Sequence, residues 1–207
     1  IKCISIDNPN KLPWEDLDVH VVIDSTGIFR YRKDLEAHLN AGAKRVILTV
    51  PPKDEIDATV VLGVNDHILD GNERIISNAS CTTNCAAILC KPIQDNFGIN
   101  EGYLITVHAY TMDQRLLDYP HKDMRRARAA GQSIIPTTTG AATTLGQVIP
   151  ELKGRVDGIS YRVPVPDGSV VDLALELKSN VSVEDINEVM KDASNKHLKA
   201  HLQYSTE

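Results

Sequence analysis

The sequence has few cysteines and no surplus of positive charge. Four cysteines among 207 residues are too sparse for the disulfide framework of a small secreted protein, and no CxxC pair indicates a zinc ribbon. A formal net charge of −6 gives no general attraction to nucleic acid or anionic membrane, so an anionic ligand requires a local basic cluster. We therefore expect a reducing, cytoplasmic location and no specific nucleic-acid partner.

Long apolar runs are also missing. No segment approaches the roughly 18 consecutive apolar residues of a membrane span, and no charged segment followed by an apolar run opens the sequence. We therefore expect no membrane partner. The first residues, IKCISID, are typical of a strand already under way, so we expect the sequence to be part of a longer chain.

Residues 1–80 carry the pattern of a parallel α/β sheet. VHVVID predicts a strand that ends at STG, YRKDLEAHLNAGA has helical spacing with a stop at Gly42, and KRVILTV is the next strand. This order makes a βαβ unit, which implies parallel strands with a right-handed crossover. ATVVLGV and RIISNA add two further strand-like segments.

Residues 81–207 have a different texture. Helical spacing is found in CTTNCAAILCKPIQDNF, GAATTLGQVIPEL and SVEDINEVMKDASNKHL, the last opening with a Ser-x-x-Asp capping box. Strands are predicted at YLITVHAY, RVDGISYRVPV and SVVDLALEL. Residues 111–136 are long, charged and irregular, which is typical of a functional or interface segment. We expect a mixed or antiparallel sheet with helices on one face.

A cysteine stands where a polar stretch becomes a helix, in SNASCTTNCAAIL. Ser80 is a candidate N-cap, which places Cys81 in the first helical turn. Backbone N–H groups and the positive end of the helix dipole stabilise a thiolate or an oxyanion there. A helix of about 22 Å and a return strand of about 20 Å would bring His108 back to the level of Cys81. These residues are thus candidate nucleophile and general base.

Plainer interpretations of these residues stay open. Cys81 could be a small buried apolar residue, and His108 a packed or surface residue. Cys85 lies one turn further on the same helical face, so a zinc site with Cys81 and His108, or a disulfide within the helix, has to be considered. Both are disfavoured, because a fourth ligand is missing and bridging geometry within a helix is poor. We expect no metal.

Basic residues cluster in HKDMRRARAA, residues 121–130, within an otherwise acidic chain. Such a cluster can be no more than a solvated charged face. Seven residues later, TTTGAATTL leads through Gly140 into a helix whose N–H groups and hydroxyls suit a phosphate. Arg162 is a further candidate partner, although a strand arginine is equally often a surface residue. Together the two segments predict a phosphorylated substrate.

The sequence resembles phosphorylating glyceraldehyde-3-phosphate dehydrogenase over nearly its whole length, in the motifs STGIF, SNASCTTNCAA, TVHAYT, RRARAA, IIPTTTGAA and LKGRVDGISYRVPVPDGSVVDL. The resemblance implies NAD-dependent oxidation of D-glyceraldehyde 3-phosphate to 1,3-bisphosphoglycerate, a step of glycolysis and gluconeogenesis. Cys81 would form a thiohemiacetal and then a thioester that inorganic phosphate cleaves, with His108 as the base. The implied fold is the second half of a Rossmann-type NAD domain, residues 1–80, and a catalytic domain, residues 81–207.

The resemblance also implies the binding residues and the assembly. The substrate phosphate and the attacking phosphate would be held by Ser80, Thr82, Thr111, Arg126, Arg128, Thr139, Gly140 and Arg162. The cofactor would be held by Thr26, Gly27, Phe29 and Thr49, and Pro120 is typical of members that use NAD rather than NADP. Residues 111–136 correspond to the family's S-shaped loop, which lies near the cofactor of a neighbouring subunit, so a homotetramer is expected.

The sequence lacks two elements that are typical of the family, and two other functions stay open. No GxGxxG loop occurs, so the first βαβ unit is expected to be missing, together with a C-terminal helix. We therefore expect the 207 residues alone to be inactive. The alternatives are erythrose-4-phosphate dehydrogenase, which generally departs from the TTTG pattern of residues 137–140, and a non-catalytic binding protein that keeps the fold.

Overall fold

The computed structural model describes residues 2–206 and divides into two compact units, Ile1–Asn84 and Cys85–Glu207. The division falls after residue 84, whereas the sequence places a domain boundary after residue 80. It lies in the first turn of a helix rather than in a loop, because that helix begins at Cys81.

The first unit is built on a four-stranded parallel sheet. Its strands are β1 (Val21–Asp24), β2 (Arg45–Leu48), β3 (Ala58–Thr59) and β4 (Ile75–Ser77), in the spatial order β1-β2-β4-β3. Helix α1 (Arg32–Asn40) connects β1 to β2, which confirms the predicted βαβ unit. Gly42 follows this helix with φ +107°, and a Cβ there would lie 2.6 Å from the backbone of Glu15, so the predicted stop requires glycine.

The core of the first unit forms between α1 and the sheet. Leu35 on the helix packs with Val46, Leu48 and Ile75 on the strands, and all four are at most 1% exposed. Phe29 covers this cluster from the loop after β1. The period of two in the strands places their apolar side chains on the face that meets α1.

Two predicted strands of the first unit are wrong in extent. Residues 2–7 form no strand, and the run ATVVLGV is a strand at Ala58–Thr59 only, followed by a 3₁₀ turn at Asp66–Ile68. The Asn65 side chain explains the early end, because it accepts from the Val61 N–H at 2.8 Å and donates to the Thr59 carbonyl at 3.0 Å. These bonds fold the chain back on itself and occupy groups that a longer ladder would use.

Helix α2 (Cys81–Phe97) begins in the first unit and continues into the second. Pro92 lies inside it, and the Asn96 side-chain amide donates to the Pro92 carbonyl at 2.8 Å. Gly98, with φ +69°, ends the helix, as the sequence predicts.

The second unit is built on a four-stranded mixed sheet. Its strands are β5 (Ile99–Ala109), β6 (Ile135–Thr138), β7 (Val156–Val163) and β8 (Val170–Leu177), in the order β6-β7-β5-β8. Strands β5 and β7 are parallel, and the other two pairings are antiparallel. The sequence analysis missed β6, a four-residue edge strand that contains a proline, within its irregular segment.

Two further helices complete the second unit, α3 (Ala141–Val148) and α4 (Val183–Asn195). The capping box predicted for α4 is confirmed, since the Ser182 hydroxyl accepts from the Asp185 N–H at 3.1 Å and the Asp185 carboxylate accepts from the Ser182 N–H at 2.8 Å. Leu104 and Leu145 are among the fully buried side chains of this unit. Among residues 2–206, no helix combines the length and apolar character needed to cross a bilayer.

Candidate active site

The start of α2 is set by a tight turn after β4. Ala79 is fully buried with φ +62°, and its N–H donates to the Ser77 hydroxyl at 3.0 Å. The Ser80 hydroxyl accepts from the Thr83 N–H at 3.1 Å, which confirms Ser80 as the N-cap. Cys81 is therefore the first residue of the helix, and it is exposed.

A second cysteine of the same helix lies in the opposite environment. Cys90 is buried, and this burial raises the pKa of its thiol to about 12, with a further upward contribution from Cys85. The Cys90 thiol is thus protonated and inert at neutral pH. Two cysteines of α2 therefore differ in their surroundings, since Cys81 is an exposed thiol at the helix start and Cys90 is a core residue.

Two predicted phosphate ligands lie beside Cys81 with their side chains turned to local structure. The Ser80 hydroxyl, besides capping the helix, lies 2.7 Å from the Thr83 hydroxyl. Thr82 is buried, with 8% of its surface exposed. The hydrogen bonds of Ser80 thus hold the start of α2 in shape, while Thr82 is placed in the interior of the first turn.

In the second unit, three predicted site residues meet at the carboxyl ends of β5 and β7. His108 and Arg162 lie opposite each other in the parallel register, and Arg162 Nη1 is 3.0 Å from His108 Nδ1. The same Nη1 donates to the Ala109 carbonyl at 3.1 Å and to the Thr111 hydroxyl at 3.2 Å. The pairing of two strands distant in sequence thus brings a guanidinium, an imidazole and a hydroxyl together.

Two neighbours of His108 Nδ1 favour opposite tautomers. The Ala109 carbonyl oxygen, at 2.7 Å, can only accept and favours a proton on Nδ1, whereas Arg162 Nη1, at 3.0 Å, can only donate and favours a lone pair there. The carbonyl is the nearer partner, and Arg162 Nη1 has two other acceptors, so we assign the proton to Nδ1. The two hydrogens of Arg162 Nη1 are then directed to the Ala109 carbonyl and the Thr111 hydroxyl. This assignment leaves the lone pair of the neutral imidazole on Nε2, as a general base requires.

Gln114 supports this cluster and was missed by the sequence analysis. Its side-chain oxygen accepts from the Thr111 N–H at 3.2 Å, and its own N–H donates to the Thr111 carbonyl at 3.0 Å. Gln114 is buried, and its Nε2 has no hydrogen-bond partner within residues 2–206. A polar residue three positions after Thr111 is the only sequence signal that could have indicated this role.

The basic cluster is neutralised largely by neighbouring carboxylates. Arg126 pairs with Asp113, lies 3.6 Å from Asp123, and donates to the Thr137 hydroxyl at 2.8 Å. Its side chain is only 17% exposed. The structure thus places Arg126 in an ion-pair network within the irregular segment, and Thr137 was not among the predicted residues.

Other predicted residues of the irregular segment are exposed. Arg128 forms an ion pair with Asp118 at 3.0 Å. Pro120 is exposed, and its carbonyl accepts from Arg115 Nε at 3.0 Å. Although the segment lacks regular structure, these contacts give it a defined conformation.

The start of α3 holds the last pair of predicted phosphate ligands. Gly140 is the N-cap position, is exposed, and would admit a Cβ without meeting another atom within 4 Å. The Thr139 hydroxyl accepts from the Ala141 N–H at 3.2 Å. The first-turn N–H groups of this eight-residue helix and the open surface at Gly140 suit an anion, because helix N-termini attract negative charge.

The predicted cofactor residues lie at the carboxyl ends of β1 and β2, where ligands bind in parallel α/β sheets. Thr26 and Gly27 are exposed in the loop after β1, and a Cβ at Gly27 would meet no atom within 4 Å. The Thr49 N–H donates to the Asp24 carbonyl at 3.0 Å. Phe29, by contrast, packs on the core of the first unit. An open loop at this edge fits a dinucleotide.

No group of three or more His, Cys, Asp or Glu side chains within residues 2–206 is arranged to hold a metal ion. The zinc arrangement weighed for Cys81, Cys85 and His108 is thus not one that the described structure contains.

Fold and site together define a chain of the α/β class, with a parallel-sheet unit, a mixed-sheet unit and an exposed cysteine at the start of α2. Residues 80–207 match the family described as glyceraldehyde 3-phosphate dehydrogenase, C-terminal domain. The chain belongs to the glyceraldehyde-3-phosphate dehydrogenase family.

Curated relatives extend this match over almost the whole chain. Glyceraldehyde-3-phosphate dehydrogenase of Mycolicibacterium smegmatis is 56% identical over 205 residues, which cover 99% of this chain and 60% of the relative. The protein of the same name from Mycobacterium avium is also 56% identical, with the same coverage. Glyceraldehyde-3-phosphate dehydrogenase 2 of Streptomyces avermitilis is 52% identical over 206 residues, 61% of its length. The chain thus spans about three fifths of the length of these relatives.

Proposed function

We propose that the protein containing this chain catalyses the NAD-dependent oxidative phosphorylation of D-glyceraldehyde 3-phosphate to 1,3-bisphosphoglycerate. The observation that carries the proposal is an exposed cysteine at a capped helix start in a chain of this family. The named relatives, each a glyceraldehyde-3-phosphate dehydrogenase, support the same substrate.

In the proposed reaction, His108 Nε2 takes the proton of the Cys81 thiol, and the thiolate attacks the aldehyde carbon. The imidazolium returns this proton to the aldehyde oxygen, which gives a thiohemiacetal. His108 Nε2 takes the proton of the thiohemiacetal hydroxyl as the hydride leaves, so that a thioester remains on Cys81. NAD, when bound, accepts that hydride. An oxygen of inorganic phosphate then attacks the thioester carbon, and the Cys81 thiolate is released with the acyl phosphate as product.

The polar residues have proposed roles in holding the two phosphates. Arg162 and Thr111 are the best supported, because they are hydrogen-bonded to each other beside His108. Thr139 and Gly140 offer a second anion site at the start of α3. For Arg126, anion binding would compete with Asp113 and Asp123, so we assign it a lesser role together with Arg128. Ser80 and Thr82 would act mainly by shaping the helix start around Cys81.

The cofactor and assembly are part of the same proposal. We propose that Thr26, Gly27 and Thr49 bind NAD, that Phe29 supports their loop from the core, and that Pro120 favours NAD over NADP in a neighbouring subunit of a homotetramer. The exposed apolar side chains of the irregular segment, Met112, Leu116, Leu117, Tyr119 and Met124, support a subunit contact there. The proposed enzyme acts in sugar metabolism, and its proposed location is the cytoplasm.

The test is an assay of NADH formation by the native protein that contains this chain. We expect activity to require inorganic phosphate and to favour D-glyceraldehyde 3-phosphate over erythrose 4-phosphate in kcat/KM. Cys81→Ser should lower kcat/KM by at least about 10³-fold, because the hydroxyl is a far weaker nucleophile. Cys85→Ser is the matched control and should retain activity. Preference for erythrose 4-phosphate would overturn the substrate, and an inactive wild type would support a binding protein.

A further inference from the structure

A chain of hydrogen bonds, buried at its centre and part-buried at both ends, leads from Trp14 to the loop after β1. Trp14 Nε1 lies 3.1 Å from His38 Nδ1, and His38 Nε2 lies 3.4 Å from Asp24 Oδ2. The other oxygen, Asp24 Oδ1, accepts from the Thr26 N–H at 2.9 Å and from the Thr26 hydroxyl at 2.7 Å. His38 and Asp24 are only 5% and 3% exposed, so water contributes little to the hydrogen bond between them.

The direction of every bond in this chain is fixed. An indole N–H can only donate, so His38 Nδ1 accepts and the imidazole proton lies on Nε2. That proton points to Asp24, whose two oxygens are then both occupied by donors. Burial alone would raise the pKa of Asp24, but the hydrogen bonds from His38 and Thr26 outweigh it and lower the pKa, so the carboxylate is charged at neutral pH.

The rings around His38 hold its plane. The Phe29 ring meets the imidazole edge-on at 6.3 Å with an interplanar angle of 82°, and the Trp14 ring lies at the same centroid distance on a tilted plane. His38 therefore cannot turn without breaking contacts with both aromatic residues. A well-oriented imidazole in turn fixes the rotamer of Asp24.

The far end of the chain is the loop that carries the proposed cofactor residues. After the Thr26 hydroxyl has donated to Asp24, its oxygen accepts from the Ile28 N–H at 3.2 Å, so one side chain closes the turn through Gly27. The turn is otherwise exposed, with Ile28 75% exposed. Its shape thus depends on the carboxylate behind it.

We propose that His38, oriented by Trp14 and acting through Asp24, is a positioning residue that holds the Thr26–Gly27 loop in the conformation that binds the dinucleotide. This inference rests on the proposed function for the identity of the ligand. It assigns roles to three residues, Trp14, His38 and Asp24, that touch neither substrate nor cofactor.

The first experiment compares two substitutions of His38 in the native protein. His38→Phe keeps a ring but loses both nitrogens, and we expect the Kd and KM for NAD to rise about fivefold, as for one lost hydrogen bond, with kcat and the KM for the aldehyde within about twofold. His38→Gln retains an acceptor for Trp14 and a donor for Asp24, and should restore most of the NAD affinity. His20→Gln, at an exposed histidine, is the matched control.

A second measurement does not depend on a variant folding. Trp14 is the one tryptophan among these 207 residues, and its ¹⁵N-labelled indole N–H signal in the native protein is assigned through its proximity to the His38 ring. We expect this proton to exchange slowly with solvent and its signal to shift when NAD saturates the wild-type protein. An unshifted signal at saturation would overturn the proposal.

The remaining outcomes separate this inference from the proposed function. Wild-type NAD affinity in His38→Phe, or equal losses in the Phe and Gln variants, would overturn the positioning role while leaving the dehydrogenase activity in place. A wild type that binds NAD with the expected shift but does not oxidise the aldehyde would overturn the activity and support the positioning role. A wild type without NAD affinity would overturn both.

Discussion

His108 and His38 are both held through Nδ1, but by partners of opposite kind. At His108 the nearer partner is the Ala109 carbonyl at 2.7 Å, which accepts and favours the proton on Nδ1 and the lone pair on Nε2, while the donor Arg162 Nη1 lies further away at 3.0 Å. At His38 the partner is the Trp14 indole, which donates, so Nδ1 carries the lone pair and Nε2 the proton. The same side chain thus presents a base at one place and a donor at the other.

The two histidines also differ in their burial and in the groups that surround them. His38 is buried between two aromatic rings and directs its proton to a carboxylate, which is an arrangement for holding a loop. His108 is half-buried at a strand end beside a guanidinium and a hydroxyl, which is an arrangement for meeting an anionic substrate. A single neighbouring atom, carbonyl oxygen or indole nitrogen, therefore decides which role an imidazole can take.

The largest expected effect comes from removing the base. His108→Gln should lower kcat by about 10²–10⁴-fold, because its amide cannot take a proton, with little change in the KM for NAD. His38→Gln should leave kcat nearly unchanged. Steady-state kinetics with both substrates varied gives the comparison. Equal loss of kcat in both variants would mean that the two histidines do not differ in role.

An intermediate effect is expected at two half-buried arginines, Arg162 and Arg126. Arg162→Lys should raise the KM for the aldehyde phosphate about tenfold, because a lysine cannot contact the Ala109 carbonyl, Thr111 and an anion in the same geometry. Arg126→Lys should have a smaller effect, since Asp113 and Asp123 already balance the charge of Arg126. The measurement is KM for the aldehyde at saturating NAD. A larger effect at Arg126 would make that residue the principal phosphate ligand.

The smallest effect concerns stability in acid. Asp24→Asn should cost about 1–3 kcal/mol at pH 7, because the amide has one oxygen and can accept from His38 or from Thr26 but not from both, so its NH₂ group faces a donor. The pKa of Asp24 is lower in the folded state than its ordinary value of 3.8, so its charge stabilises the fold above that pH, and this stabilisation is lost as the pH falls through the folded pKa.

The corresponding measurement is urea unfolding of wild type and Asp24→Asn between pH 7 and pH 3. The difference in unfolding free energy should be constant at the upper end and shrink below the ordinary pKa. Asp16→Asn, at an exposed carboxylate, controls for the loss of one charge. A difference that grows in acid would show that Asp24 is held protonated in the fold.

Local chemistry made part of this structure predictable. Ser80 and Ser182 each stand before a segment with helical spacing, and each accepts from a backbone N–H three residues later, so both caps could be predicted from the sequence. The helix ends at Gly42 and Gly98 are also predictable locally, because glycine adopts a left-handed backbone conformation more easily than other residues. Contacts within about four residues follow from such rules.

Contacts between distant segments could not be predicted in this way. The parallel pairing of β5 with β7 places Arg162 opposite His108, which lies 54 positions earlier in the chain. The register between these two strands cannot be predicted from any local sequence pattern. Trp14 and His38 are 24 positions apart, and neither stands in a motif. Arg126 was expected to meet an anion, and the carboxylates that it contacts lie on loop turns without periodicity. Tertiary packing decides these partners.

The left-handed backbone at Ala79 has a consequence for how this region can vary among related sequences. With φ +62° and no exposed surface, the position excludes β-branched and bulky side chains and favours alanine, glycine or asparagine. A narrow range of residues there would reflect the geometry of the turn and not contact with a ligand. The backbone conformation at position 79 thus restricts which residues can occur there. This position directly precedes Ser80, the N-cap of the helix that begins at Cys81.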